Sequence, residues 1–564
     1  MGTLDWVVIG IFFLALIGII VWVVKQKQND SADYFLGGRD ATWLAIGASI
    51  FASNIGSEHL IGLAGAGASS GMAMAHWEIQ GWMILILGWV FVPFYSRSMV
   101  YTMPEFLERR YNPQSRTILS VISLISYVLT KVAVTVYAGG LVFQQVFGIK
   151  ELWGIDFFWI AAIGLVVLTA LYTIFGGMKS VLYTSVLQTP ILLLGSLIIL
   201  VLGFKELGGW DEMMSICSAV TVNEYGDTMT QLIRDNNDPN FPWLGALVGS
   251  AIIGFWYWCT DQFIVQRVLS GKNEMEARRG TIFGAYLKLL PVFLFLIPGM
   301  IAFALHQKYI GAGGEGFLPL LANGTANADA AFPTLVAKLL PAGVKGLVVC
   351  GILAALMSSL ASLFNSSAML FTIDFYKRFK PETPEKKLVG IGQIATVVIV
   401  ILGILWIPIM RSVGDVLYTY LQDVQSVLAP GIAAAFLLGI CWKRTSAKGG
   451  MWGLISGMII GLTRLGAKVY YSNAAVTDSS MFKYLFYDLN WLFFCGWMFL
   501  FCIIVVIAVS LMTEAPSAEK IQGLVFGTST PEQKAATRAS WNHWDIIHTV
   551  IILAITAAFY WYFW

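Results

Sequence analysis

The sequence predicts an all-α polytopic membrane protein with about fourteen transmembrane helices. Composition is the first sign: of 564 residues, 57% are hydrophobic and 12% charged, with a mean hydropathy of +0.73. A soluble chain carries about 25% charged residues. Second, the apolar residues fall in blocks. Thr3 to Val24, Phe157 to Phe175 and Trp491 to Leu511 are nearly uncharged and exceed the roughly 18 residues that cross about 30 Å of hydrocarbon as a helix. Lipid leaves helices or a closed barrel as the only spanning structures, and uninterrupted runs favour helices. Third, Lys and Arg alternate between loops.

In order, the expected spans are 4–24, 42–64, 75–97, 118–147, 153–175, 180–205, 243–269, 281–307, 341–375, 387–410, 416–441, 448–472, 487–512 and 545–563. The first is too long for a signal-peptide core and has no basic segment before it, so it reads as a span. Basic residues follow the odd-numbered spans: Lys25, Lys27 and Arg39; Arg97, Arg109, Arg110 and Arg116; Lys179; Arg267, Lys272, Arg278 and Arg279; Lys377, Arg378, Lys380, Lys386 and Lys387; Lys443, Arg444 and Lys448. The alternate loops are poor in them, and 206–242 is acidic. The positive-inside rule then places both termini outside. A net charge of +2 points to no nucleic-acid partner; the partners implied are the lipid bilayer and a small solute. Six cysteines show no disulfide framework or CxxC site. Asn323-Gly324-Thr325 is a glycosylation sequon, used only along a eukaryotic secretory route.

Two spans look interrupted. Residues 48–59 bring small residues, Asn54, Glu58 and His59 to mid-membrane, and 416–441 passes through Tyr418 to Gln425 and then Ala429-Pro430-Gly431. Broken helices expose backbone groups that bind ions and substrates at the midplane; the alternative is a packing interface of small residues. In the ninth span Ala355, Ser358 and Ser359 share one helix face. Hydroxyls with freed carbonyls would form an oxygen cage for a monovalent cation, or the serines simply bond back to the preceding turn. His59, Glu78, Lys288 and Gln422 suit a hydroxyl-rich neutral ligand, although Glu78 and Lys288 would equally form a structural ion pair. Trp77, Trp256, Tyr257, Trp258 and Tyr418 offer sugar-stacking faces or interfacial anchors. The glycine-rich stretch 65–71 lacks a βαβ context, and no metal-ligand spacing or nucleophile elbow argues for an enzyme.

Residues 33–39 (DYFLGGR), 51–57 (FASNIGS), 256–262 (WYWCTDQ), Gln266-Arg267, 357–366 (MSSLASLFNS) and 436–439 (FLLG) resemble the sodium:solute symporter family, in its sodium/glucose cotransporter branch, from about Ala32 to Lys448. The resemblance implies a leucine-transporter-type fold with two inverted five-helix repeats, 42–205 and 243–441. These are flanked by a first helix and inside loop (1–41), an outside loop (206–242), another near 308–340, and C-terminal helices (442–564). It implies a co-transported Na+ held by carbonyls of Ala52, Ile55 and Ala355 and hydroxyls of Ser358 and Ser359. Sugar hydroxyls would meet Asn54, His59, Glu78, Lys288 and Gln422. Tyr257, with Trp258 beside it, would form the inner gate; Leu63, Trp77 and Tyr418 the outer one. One departure stands out: the family's usual Asp in its Tyr-Thr-Asp motif is Ser185 here. That carboxylate contributes to a second sodium site in two-sodium members, so one sodium per sugar is expected. The function implied is sodium-coupled hexose import by alternating access. A polyol such as myo-inositol or an organic anion as cargo, and a non-concentrative sugar sensor or sodium channel, are the alternatives.

Overall fold

A computed structural model describes residues 1–26, 30–56, 58–321, 324–411, 417–471 and 479–564, excluding the side chains of 129, 130, 145, 409–411 and 417–423. Eleven helical stretches among the described residues are long and apolar enough to cross a membrane, with Trp43–Asn54 and Ala133–Gln144 as shorter apolar helices. Phe157–Leu207 is a 51-residue helix, about 76 Å of chain at 1.5 Å per residue, too long for one pass. It bends at Gly177, whose φ of +52° suits glycine and where a Cβ would meet the carbonyl of Tyr34 at 2.4 Å.

Burial sorts the helices into shells. The apolar windows of Glu274–Gly311 and Val344–Phe379 are 83% and 89% buried, whereas Thr3–Lys25 and His543–Tyr562 are 22% and 17% buried and turn most of their Leu, Ile and Val side chains outward. The outer helices are pinned by polar contacts. Asp5 accepts the backbone N–H groups of Gly343 at 2.7 Å and Gly346 at 2.8 Å, and the Tyr560 hydroxyl lies 2.9 Å from His76 Nδ1.

Of the two expected interruptions, one is present. Helix Trp43–Asn54 stops at Ile55, whose ψ of 107° is extended, and the chain resumes as a wide π-helical turn, Glu58–Leu63. The other is absent: Leu417–Cys441 is one helix with Pro430 inside it. There the small residues serve close packing, because a Cβ on Gly431 would lie 2.9 Å from the Cα of Gly457 in helix Ala447–Tyr471. The 65–71 glycines likewise serve contact: a Cβ on Gly67 would meet the Leu296 carbonyl at 2.2 Å.

Candidate functional site

The break at residue 55 leaves the last-turn carbonyls of Trp43–Asn54, Ala52 among them, at the negative end of a helix dipole. Hydroxyls bring helix Val344–Met369 and helix Phe157–Leu207 against that end. Ser53 and Ser362 are 2.6 Å apart, Ser185 lies 3.2 Å from Ser358, and its hydroxyl reaches Ser49 at 3.5 Å. The five expected ion ligands, Ala52, Ile55, Ala355, Ser358 and Ser359, are all buried on or beside this face. The arrangement offers neutral oxygens only, the donor type that hard monovalent cations accept.

Ser359 also lines an adjoining cavity of about 60 Å³. That exceeds the roughly 10–15 Å³ a cavity needs to hold a single water. Asn54, His59, Glu78, Trp77, Tyr257, Trp258 and Lys288 line it together. Lys288 Nζ lies 2.6 Å from Glu78 Oε2, and His59 Nε2 lies 3.3 Å from the same oxygen and 3.2 Å from Asn54 Nδ2. The ion pair foreseen as an alternative is therefore real and lies in the cavity wall. Trp258 donates its indole N–H to Gln80 and stacks edge-on with Tyr257 at 4.9 Å. Buried His59 Nδ1 and Trp77 Nε1 have no hydrogen-bond partner among the described residues, and each retains capacity for a ligand.

Two expected residues, Gln422 and Tyr418, and the sequon Asn323 lie outside the described side chains or residues. Leu63 is buried in the Glu58–Leu63 turn and is not among the cavity-lining residues. Trp77 instead stacks on Trp491 at 5.6 Å and meets Phe241 edge-on at 6.1 Å. Cavity residues given no role from sequence include Gln80 and Lys131. Lys131 carried a readable signal, an ionisable residue within a span.

The sequence pattern of the sodium:solute symporter family matches residues 34–457. The chain is 37% identical over 538 residues to the sodium/myo-inositol cotransporter 2 of Homo sapiens, covering 93% of this chain and 79% of the relative. It is 37% identical over 529 residues to the sodium/glucose cotransporter 1 of Ovis aries, covering 90% and 79%. Among solved structures, an outward-open, substrate-bound Na+-coupled sialic acid symporter superposes with a TM-score of 0.74 at 22% identity, over 92% of this chain and 99% of that one. This last likeness shows a shared fold.

Proposed function

The chain belongs to the sodium:solute symporter family, and from that premise we propose that it imports a hexose of the glucose or galactose type with one Na+ per sugar. Family membership makes it a multi-pass membrane protein with a leucine-transporter-type fold and Na+ as the co-transported ion. The observation that carries the cargo assignment is the cavity wall. Glu78, Lys288, His59 and Asn54 form one bonded group facing the rings of Tyr257 and Trp258. Because the Lys288 ammonium is already neutralised by Glu78, the group presents hydrogen-bonding capacity with little net charge. That suits a polyhydroxylated ring and disfavours an organic anion.

Sodium held between the Ala52–Ile55 break and Ser358–Ser359 would fix the broken helix that also presents Asn54 and His59, so ion binding completes the sugar site. The outer closure at Trp77 would then form, the 42–205 and 243–441 repeats would rock, and Tyr257 would move aside to release sugar. The charge pattern supports both termini outside. One charge crossing 100 mV provides about 2.3 kcal/mol, roughly a 40-fold sugar gradient from voltage alone.

Myo-inositol is the second reading, favoured by the relatives named sodium/myo-inositol cotransporter 2 and compatible with the same ring-plus-hydroxyl chemistry. Uptake by purified protein in proteoliposomes, with and without an imposed sodium gradient, tests both. Sodium-dependent accumulation of glucose that myo-inositol inhibits only weakly supports the hexose. The reverse order selects the polyol, and movement that never exceeds equilibrium overturns symport.

A further inference from the structure

At the end of the cavity away from Trp77, two wide π-helical turns meet. Helix Trp243–Gly254 starts beside Phe241, the ring that contacts Trp77, and runs through the turn Phe255–Thr260 to Asp261, so Asp261 lies at the opposite end. The facing turn is Tyr127–Val132. Asp261 Oδ2 lies 2.6 Å from Lys131 Nζ, while Oδ1 accepts the Tyr127 hydroxyl and, at 3.2 Å, the Phe263 N–H that starts helix Gln262–Leu269. The rings of Tyr127, Trp256, Tyr257 and Phe263 surround the Lys131 ammonium, with centroids 4.8–5.4 Å away. Lys131, Tyr257 and Phe263 also line the cavity.

On the same helix, Arg267 is fully buried, and its three guanidinium nitrogens have no hydrogen-bond partner among the described residues; its guanidinium lies 5.1 Å from the Phe263 ring centroid. Buried polar groups in native proteins are hydrogen-bonded as a rule, and a buried guanidinium without an acceptor is an exception that needs a reason.

We propose that Asp261 is a two-position carboxylate that latches the floor of the cavity, paired with Lys131 while this end is closed and with Arg267 when it opens. The proposal rests on the transport reading above. Tyr257 belongs both to the cavity wall and to the ring cage, so displacing it admits water to the Lys131–Asp261 pair. The attraction that is strong in a dry interior then weakens steeply. The orphaned guanidinium less than two turns along the helix is the acceptor-seeking group placed to take the freed carboxylate. Lys131, Asp261 and Arg267 thus act as positioning residues: they set how readily this end opens.

The test uses a cysteine at Leu363, a buried cavity-lining position, labelled by a membrane-impermeant maleimide in oriented proteoliposomes with sodium and no cargo. This readout stands whichever solute the cavity takes. Lys131→Met and Asp261→Asn should each speed labelling from the Asp261 end at least 10-fold, while Asp261→Asn, at a position outside the cavity lining, changes equilibrium cargo binding less than about threefold. Lys131→Arg, which keeps the pair, should label as slowly as the parent. Arg267→Met should slow both labelling and cargo release with binding retained. Unchanged labelling in Lys131→Met, or a loss of cargo binding in Asp261→Asn that matches its loss of uptake, overturns the latch; unchanged release in Arg267→Met overturns the exchange.

Discussion

Two polar regions adjoin at Ser359 and are built on opposite plans. The cavity carries Glu58, Glu78, Lys131, Lys288 and His59, with the Glu78 and Lys131 charges in direct ion pairs. The face beside it carries Ser49, Ser53, Ser185, Ser358 and Ser362, hydroxyls bonded to one another and to backbone. Burying a charge is tolerated when a partner neutralises it, so the cavity wall is rigid, positioned and nearly neutral as seen by a ligand. Neutral hydroxyls and carbonyls hold a cation without a fixed opposing charge, which favours release as well as capture. On the proposed assignment, positioned and paired groups would hold the solute, and neutral oxygens alone would hold the ion.

Removing a charge from the first region should have the largest effect. Lys288→Ala leaves Glu78 buried beside His59 alone; breaking a buried pair in this way costs about 3–5 kcal/mol. Uptake in proteoliposomes should be abolished, and Lys288→Ala/Glu78→Ala should recover stability but not transport. A single variant that transports at the parent rate would show that the pair is structural scaffolding only. In the second region the effect should be smaller. Ser359→Ala deletes one neutral oxygen, worth about 0.5–1.5 kcal/mol, so the sodium concentration for half-maximal uptake should rise roughly 2- to 12-fold with maximal rate retained. Unchanged sodium dependence would remove Ser359 from the ion site.

The contrast also explains what could be read from sequence. Spans are visible because hydrocarbon thickness imposes about 20 apolar residues on each, and the break at 55 is visible because Asn54, Glu58 and His59 have no other reason to lie within a span. The supposed break at 430 failed because Pro-Gly reads alike in a broken helix and in a close helix crossing. Only the approach of Gly457 to Gly431 decides between them. Lys131 and Asp261 were missed because their partnership joins positions 130 residues apart, and no periodicity links side chains across helices. Orphaned groups such as His59 Nδ1 and the Arg267 guanidinium are invisible for the same reason: lack of a partner is a property of the packed neighbours.

The sharpest test of the contrast moves one region's plan into the other. The Ser185 hydroxyl donates to the Val181 carbonyl at 2.6 Å and lies 3.2 Å from that of Ser358, wholly buried. Ser185→Asp places a carboxylate among neutral oxygens with no basic side chain among these partners. An isolated buried carboxylate is strongly disfavoured, so the variant should be less stable than the parent in choline buffer and should recover on adding sodium, because a ligand that binds only the folded state stabilises it by mass action. Transport reversal potentials should then give two sodium ions per solute where the parent gives one, squaring the voltage-driven gradient to roughly 1,600-fold per 100 mV. A parent that already moves two ions would refute the neutral-face reading. A variant rescued by sodium yet still coupled to one ion would separate binding at this face from transport across it.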